Sequence, residues 1–567
     1  FFKNMPLITL LKKGSLRANT NDQLKQEELD QIVPIDYIMD WFSTRLNLTG
    51  VSNRILVLKS DTGSGKSTAF PPNLYKNFYK SGSGNIAVTQ PRVLNAINIV
   101  RDQITGSGFY PYMKLGENIG WQTGPSKKKS KNGLIYMTLG VLMRQLKTFS
   151  DEQLMATYSF IIIDEVHEAS MDQSIVLFML RSFVSRNAHN PKLPFIVLTS
   201  ATLNVDLFLK YFGVYDAPNQ PNLIQVAGFA FALEERWTFE NATSDYIESA
   251  FLTAKKIHVE NPQDVENRDI LIFLPSKTEM NEVGEKLQKL REQLHGAKKP
   301  IFAILQIDSE TIKKSGQDFA DMTADITTLR AKVGAKYEPV FRRIILSTSV
   351  AETGITIDTL KYVIDCGFHR GPEYNPHYRV SGVLTKPSQH SRIKQRKGRA
   401  NRKAEGVFYP LYPKYVYEKL PTQQLADIET SDIGEYALGL FHEQSKELNH
   451  VSFDINLLNK PPVDTSREIF ERLYALGYIS AASDYKYTKT SDKYSIDLIY
   501  KIIDYGQQGN QVVNQNSNQT NITKLGAIAA LLGDIKPEIS RMLLAAYAWD
   551  CSPTEMATIA AYMMLEY

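Results

Sequence analysis

Cysteine is nearly absent from this 567-residue chain: Cys366 and Cys551 are the only two. Two thiols cannot build a disulfide framework or a thiolate-rich metal site, which fits a reducing compartment. No apolar run approaches the ~20 residues needed to span a bilayer, and no secretory leader stands at the start, so no membrane is expected as a partner. The formal charge of +4 is small for this length. A nucleic-acid partner therefore has to be argued from particular residues and not from the total. What is present is an ordinary globular balance, 43% hydrophobic and 22% charged residues, in a chain long enough for several domains with their own cores. The expectation is a soluble, intracellular, cytoplasmic protein. Because the chain opens on Phe1, it is also expected to be part of a longer product.

Two stretches share one rhythm, in which short apolar runs end in polar turns and lead into helical periodicity. The first holds RILVLKS (Arg54 to Ser60), NIAVTQPR (Asn85 to Arg92), LIYMT (Leu134 to Thr138), SFIIIDE (Ser159 to Glu165) and FIVLTSAT (Phe195 to Thr202). The second holds DILIFLPS (Asp269 to Ser276), RRIILSTS (Arg342 to Ser349) and YVIDCGF (Tyr362 to Phe368). Continuous apolar runs indicate strands buried on both faces, and their alternation with helices indicates parallel sheets. The fold class is α/β, with two tandem parallel-sheet domains and a mostly helical C-terminal region. Expected boundaries are a helical extension over 1–45, α/β domains over 46–228 and 229–415, and helical modules over 416–482 and 483–567. The last contains an Asn/Gln-rich stretch, Gln507 to Asn521, read as a solvated loop.

The turn after the first strand reads SDTGSGKST. Gly63 and Gly65 let backbone N–H groups converge on phosphates, Lys66 reaches the β and γ oxygens, and the Ser67 hydroxyl ligates Mg²⁺. Thr62, Gly63, Ser64, Gly65, Lys66, Ser67 and Thr68, with Asp164, form the candidate nucleotide-binding set. Ser60 stands where the strict pattern has glycine. In IIIDEVH, Asp164 ends a buried strand and is suited to hold Mg²⁺ through water, while Glu165 is suited to orient and deprotonate the attacking water. Ser67, Asp164 and Glu165 are the candidate metal set. His167 lacks neighbours at ligand spacing and reads as a polar contact between domains. Ser200 and Thr202 either couple nucleotide state to the partner domain or simply cap a strand-to-helix turn.

QRKGRANR places Gln395, Arg399 and Arg402 on one helical face. Arginines offered from a second domain stabilise charge on a transferring phosphoryl group, and Gln395 is suited to position water. The candidate catalytic set is Lys66, Glu165, Gln395, Arg399 and Arg402, and the candidate cofactors are ATP or another NTP with Mg²⁺. A site split between two domains converts hydrolysis into relative motion of its walls.

The segments SDTGSGKST, TQPR, DEVH, SAT, STSVAETGITI and QRKGRANR, in this order, resemble superfamily 2 helicases. LGENIGWQTG, IYMTLGVLMRQ, DILIFLPS and VIDCGFHRGPEYNP point to the DEAH/RHA branch, including the nucleoside-triphosphate phosphohydrolase II helicases of large DNA viruses. The resemblance runs from Arg54 to Tyr412, and more faintly through LNKPP, LYALGYI and the final helices. It implies RecA-like α/β domains, a winged-helix-like module and a ratchet-like bundle. It also implies translocation 3′ to 5′ along a single strand of single-stranded or partly duplex nucleic acid, with RNA favoured over DNA. If the protein is viral, its place is the host cytoplasm or the virion. By the same resemblance Thr89, Gln90, Arg92, Gly116 and Thr138 contact the strand in the first domain, and Thr348, Thr353 and Gly354 in the second; His167, Ser200 and Thr202 couple the halves. Residues 367–384 either form the family's duplex-splitting hairpin or an ordinary surface hairpin. KKKSK (Lys127 to Lys131) reads as a solvated charge run.

Two departures stand out. Ala169 follows Glu168 where the family has arginine, and Asn401 replaces a usual glycine. Two rivals remain: a DNA helicase or translocase of the same architecture, and a hydrolysis-deficient nucleic-acid clamp. A plain P-loop kinase or GTPase leaves the second domain and its arginines unexplained.

Overall fold

The computed structural model describes residues 35–60, 64–80, 83–124, 126–128, 132–200, 205–214, 222–226, 231–240, 245–261, 268–308, 340–352, 357, 359–401, 404–423, 425–448, 456–480, 521–533 and 535–564. The first sheet is built from β1 (Ile55–Ser60), β2 (Asn85–Gln90), β3 (Ile119–Gln122), β4 (Lys127–Lys128), β5 (Leu134–Thr138), β6 (Tyr158–Ile163), β7 (Phe195–Ser200) and β8 (Leu223–Val226). Their order is β4-β3-β5-β2-β6-β7-β1-β8, and every pair is parallel except β3 with β4. The five expected strands are all present. The short strands β3, β4 and β8, two to four residues long, were not anticipated. Lys127 and Lys128 are exposed on β4, where charge discourages edge-to-edge pairing.

Register decides where the chemistry lies. Lys59 pairs with Ser200, Gln90 with Thr138 and Thr89 with Ile163, so these strands end side by side. Ligands of open parallel sheets bind at such carboxyl ends. Alternate residues serve opposite faces. Ile55 and Val57 join a core with the helices Leu139–Thr148 and Met171–Arg186, while Leu56 and Leu58 pack under Ile35–Ser43 and Phe70–Phe78. Each such fully buried aliphatic side chain contributes roughly 1.5–3 kcal/mol.

The second sheet contains β9 (Leu233–Glu235), β10 (Asp269–Phe273), β11 (Ile301–Ile307), β12 (Val340–Ser347) and β13 (Leu360–Asp365). An antiparallel hairpin, β14 (Phe368–Asn375) with β15 (Val380–Pro387), follows, and β16 (Gly406–Pro410) returns to the sheet. The order is β11-β12-β10-β13-β16-β9, parallel throughout. Asp269, fully buried, pins this sheet by accepting from Arg343 Nε at 2.7 Å and from the Arg343 backbone at 2.8 Å.

The C-terminal helices include Asp427–Thr430, Gly434–Leu448, Val463–Ala475, Lys524–Leu531, Pro537–Ala548 and Pro553–Met564. Leu438, Phe441, Ile469, Phe470 and Leu473 lie in the same apolar core as Met171–Arg186 of the first unit. Arg186 reinforces the joint, bridging Asp151 at 3.1 Å and Glu443 at 2.5 Å. Apart from Asn521, the Asn/Gln-rich stretch lies outside the described residues.

Candidate active site

The phosphate loop leaves β1 and re-enters a helix at Phe70. Thr62 and Gly63 lie outside the described residues. Ser64, 1% exposed, donates its hydroxyl to Ser60 Oγ at 2.9 Å, so the serine that departs from the strict pattern closes the base of the loop. Gly65 turns the chain at φ +90°, a backbone conformation open to glycine. Its carbonyl then receives the Thr68 and Ala69 amides, which starts the helix and leaves Lys66 and Ser67 facing the ends of the strands.

Lys66, 4% exposed, places Nζ 2.9 Å from Glu165 Oε2. Ser67 Oγ donates to Asp164 Oδ2 at 2.5 Å. Asp164 is 2% exposed and is held by two further groups: Gln90 Nε2 donates to Oδ2 at 2.7 Å, and Thr199 Oγ1 donates to Oδ1. Burial pushes the Glu165 carboxyl up, but Lys66, with Arg399, outweighs it and holds the group below its ordinary value. Glu165 is therefore ionised at neutral pH. Its backbone stands at φ +53° and Ala169 at φ +49°, left-handed positions that non-glycine residues rarely occupy away from functional turns.

The second unit meets this set through the helix His390–Ala400. The Gln395 amide nitrogen donates to His167 Nε2. That bond leaves the proton of His167 on Nδ1, which lies 2.9 Å from Ser200 Oγ and 3.3 Å from Glu165 Oε2. Burial lowers the His167 pKa more than Glu165 raises it, so the ring is neutral at pH 7 and one tautomer spans the cleft. Arg399, 6% exposed, donates to the Glu352 carbonyl. Burial pulls its guanidinium down to about 10 while Glu165 and Glu352 oppose the shift, so it stays cationic beside the carboxylates.

Arg396 faces the other way. It pairs with Glu352 at 2.8 Å and Asp365 at 2.5 Å, and Arg392 adds a second cation to Glu352 at 2.6 Å. This cluster locks the helix to the second sheet and fixes where Gln395 and Arg399 emerge. The spacing of the arginines does not reveal it, because its anions lie 30 to 45 residues upstream. Arg402 and Thr202 lie outside the described residues.

The residues expected along a nucleic-acid strand separate into two groups. Thr89 and Gln90 are 0% and 2% exposed; Gln90 holds Asp164 as above, and Thr89 Oγ1 accepts from the Asp164 backbone at 3.4 Å. Their buried side chains turn to the metal-side carboxylate at the end of the neighbouring strand β6. Arg92 crosses to the second unit, donating to Val350 O at 2.6 Å. Gly116 (φ +83°), Thr138 and Thr348 are partly exposed at strand ends or turns. Thr353 and Gly354 lie outside the described residues. Sequence reasoning missed Thr199, whose place before Ser200 at the end of β7 was its only signal.

The donor set fits Mg²⁺–NTP. Ser67 and Asp164 offer the hard oxygen ligands that Mg²⁺ takes in small number. Among the described residues no three His, Cys, Asp or Glu side chains cluster to hold a metal by themselves. Among the same residues no helix is long and apolar enough to cross a membrane.

Both α/β units match known families. The DEAD/DEAH box helicase family matches residues 46–208, and the helicase conserved C-terminal domain matches 253–404. B962L of African swine fever virus, named as a proposed RNA helicase, is 36% identical over 579 residues in isolates from South Africa and Namibia. The alignment covers 98% of this chain and 55% of the viral protein, so the chain spans about half the length of the curated relatives it matches. The fold is similar to Escherichia coli DEAH/RHA helicase HrpB, with a TM-score of 0.66 at 20% identity over 94% of this chain and 57% of that one. A second structure, of the E. coli DExH-box NTPase HrpB, gives 0.63 at 20% identity, covering 91% and 52%. With both helicase domains matched in tandem and the two-sided site in place, the chain belongs to the superfamily 2 DExH helicases.

Proposed function

We propose that this chain is an ATP-dependent RNA helicase that translocates 3′ to 5′ on a single strand. The observation that carries the reading is the convergence of Lys66, Ser67, Asp164 and Glu165 from one sheet with Gln395 and Arg399 from the other. Bound Mg²⁺–ATP would supply the phosphoryl group and the charge that polarises it. Ser67 and Asp164 would hold the ion, and Lys66 would exchange its Glu165 partner for phosphate oxygens. Glu165, released from that pair, would take a proton from the attacking water, while Arg399 balances developing charge. The His167–Gln395 bond would report that event across the cleft.

RNA is favoured by the name of the viral relatives, and polarity by the resemblance to the DEAH/RHA branch. Arg92, Gly116, Thr138, Thr348, Thr353 and Gly354 are the candidate strand contacts, with Thr89 and Gln90 through their backbone, since guanidinium groups, hydroxyls and backbone amides bind phosphate without reading bases. Of the three residues that favour the decayed-clamp alternative, Ser60, Ala169 and Asn401, two have structural tasks. Ser60 is accommodated in the loop, and Asn401 has a structural task, donating to Phe231 O at 2.9 Å. A cytoplasmic place of action, in a host cell or virion, goes with this reading.

Strand displacement on RNA and DNA duplexes with a 3′ or a 5′ overhang tests it. ATP-dependent displacement of RNA from the 3′ overhang is expected. A preference for DNA or for the 5′ overhang overturns substrate or polarity, and ATP-independent binding alone overturns the helicase reading.

A further inference from the structure

The hairpin β14–β15 is fastened at two places to two different bodies. At its root, Ser388 N donates to Gly367 O at 2.7 Å and Arg396 donates to Phe368 O at 3.0 Å. The root therefore follows the helix that carries Gln395 and Arg399. The outer part exposes Tyr378, Val380, Val383 and Leu384, between 53% and 72%. Between root and tip the contacts change partner. Tyr374, 8% exposed, donates its hydroxyl to Glu468 Oε2 at 2.9 Å. Arg379, held at φ +54°, brings Nε within 2.8 Å of Glu468 Oε1, an ion pair without hydrogen-bond alignment.

Glu468 belongs to Val463–Ala475, and that helix packs into the core of the first unit. Ile469, Phe470 and Leu473 are buried in the core shared with Met171–Arg186. Arg472, one turn beyond Glu468, donates to it at 3.1 Å and is fixed by Asp432 at 2.9 Å. The helix is thus joined to the first unit by apolar burial and to the hairpin by polar contacts. Separating the former exposes apolar surface to water. The latter exchange for water at small net cost.

We propose that Glu468 is a positioning residue that ties the hairpin to the first α/β unit, so that displacement of the second unit during NTP turnover is delivered as movement of the hairpin against the C-terminal helices. With the root carried by one unit and the middle held by the other, a shift at the nucleotide cleft is taken up between them, by bending of the hairpin or by release of Glu468. The inference rests on the helicase reading proposed above.

The test uses the full chain with Glu468→Gln, Tyr374→Phe and the double variant, measuring RNA-stimulated ATP hydrolysis and strand displacement side by side. Hydrolysis within about twofold of the parent is expected, with strands displaced per ATP reduced about tenfold in each single variant. Glu468→Gln discharges the pairs with Arg379 and Arg472 but keeps an acceptor for Tyr374, and Tyr374→Phe removes that hydrogen bond alone, so the double variant should lose more than either single one. Unchanged displacement per ATP overturns the proposal, as does a parallel loss of hydrolysis, displacement and melting temperature. A second measurement does not depend on activity. Fluorophores at His377→Cys and Glu152→Cys, in a Cys551→Ser background, report the distance from hairpin tip to first unit. Glu468→Gln should broaden that distribution, and an identical distribution overturns the tie. A parent that neither hydrolyses ATP nor unwinds, while Glu468→Gln still broadens the distribution, would sink the helicase reading alone.

Discussion

Arg396 and Arg399 lie one turn apart on one helix and are expected to fail in different ways. Arg396 is 1% exposed and meets Glu352 at 2.8 Å, Asp365 at 2.5 Å and Phe368 O at 3.0 Å. The partner carboxylates are 5% and 0% exposed, and the pull of Asp365 and Glu352 raises the guanidinium pKa despite burial. Arg396→Met leaves Asp365 without its cation and Glu352 with Arg392 alone. Breaking a buried pair from one side costs about 3–5 kcal/mol. At roughly 2–4 °C per kcal/mol for a unit of this size, the melting midpoint of the second unit should fall by on the order of 10 °C. Arg399→Ala removes a donor from the Glu352 carbonyl, a loss of about 1–2 kcal/mol. Its larger effect is expected on turnover, about 10³-fold or more for an arginine offered across a phosphoryl-transfer site. Calorimetry and steady-state ATPase assays on both variants separate the two. Arg396→Met melting within about 2 °C of the parent, or Arg399→Ala keeping more than about a tenth of parental turnover, refutes the division of labour argued from the helix faces.

Lys66→Ala should abolish ATP hydrolysis and, by taking the cation from beside the Glu165 carboxylate, also lower the melting temperature; hydrolysis at the parental rate would remove Lys66 from the site. Thr199→Val takes away a hydroxyl donated to Asp164 and is expected to raise the Mg²⁺ concentration for half-maximal ATPase about 10-fold or more, an effect that a Mg²⁺ titration reads directly. His258 is pulled by burial down to about 4, against about 6.5 in an unfolded chain. Between those values the unfolded state binds the proton and the folded state does not, so stability rises with pH. The second unit should lose about 2 kcal/mol from His258 between pH 7 and pH 5, seen as a lower urea midpoint. An equal pH slope in His258→Asn would contradict the assignment.

The strands that present chemistry were readable because each is a continuous apolar run ending in a polar residue. The sheet-edge strands β8 and β9 were not, being only four and three residues long. Lys66, Ser67, Asp164 and Glu165 were legible as a set, since a phosphate loop and an acidic strand end constrain each other. The direction of Thr89 and Gln90 was not legible. A residue at a strand end can turn to the groove or to its neighbour, and only the packing of β6 beside β2 decides. Arg396 illustrates the same limit. Helical spacing assigns it a face, but the anions on that face come from β13 and the turn after β12.

The distribution of apolar and polar contacts indicates which parts can move. Among the described residues no apolar cluster joins the two sheets: one pair of cores belongs to the first unit and the C-terminal helices, the other pair to the second unit. What crosses between the sheets is polar, namely His167 with Gln395 and Arg92 with Val350 O. Polar contacts can be broken and remade in water at little net cost, whereas an opened apolar core loses roughly 25 cal/mol for each Å² exposed. A nucleotide whose phosphates outbid the Lys66–Glu165 pair therefore acts on an interface already suited to rearrangement. The apolar joint to the C-terminal helices is the part that should stay intact through that rearrangement.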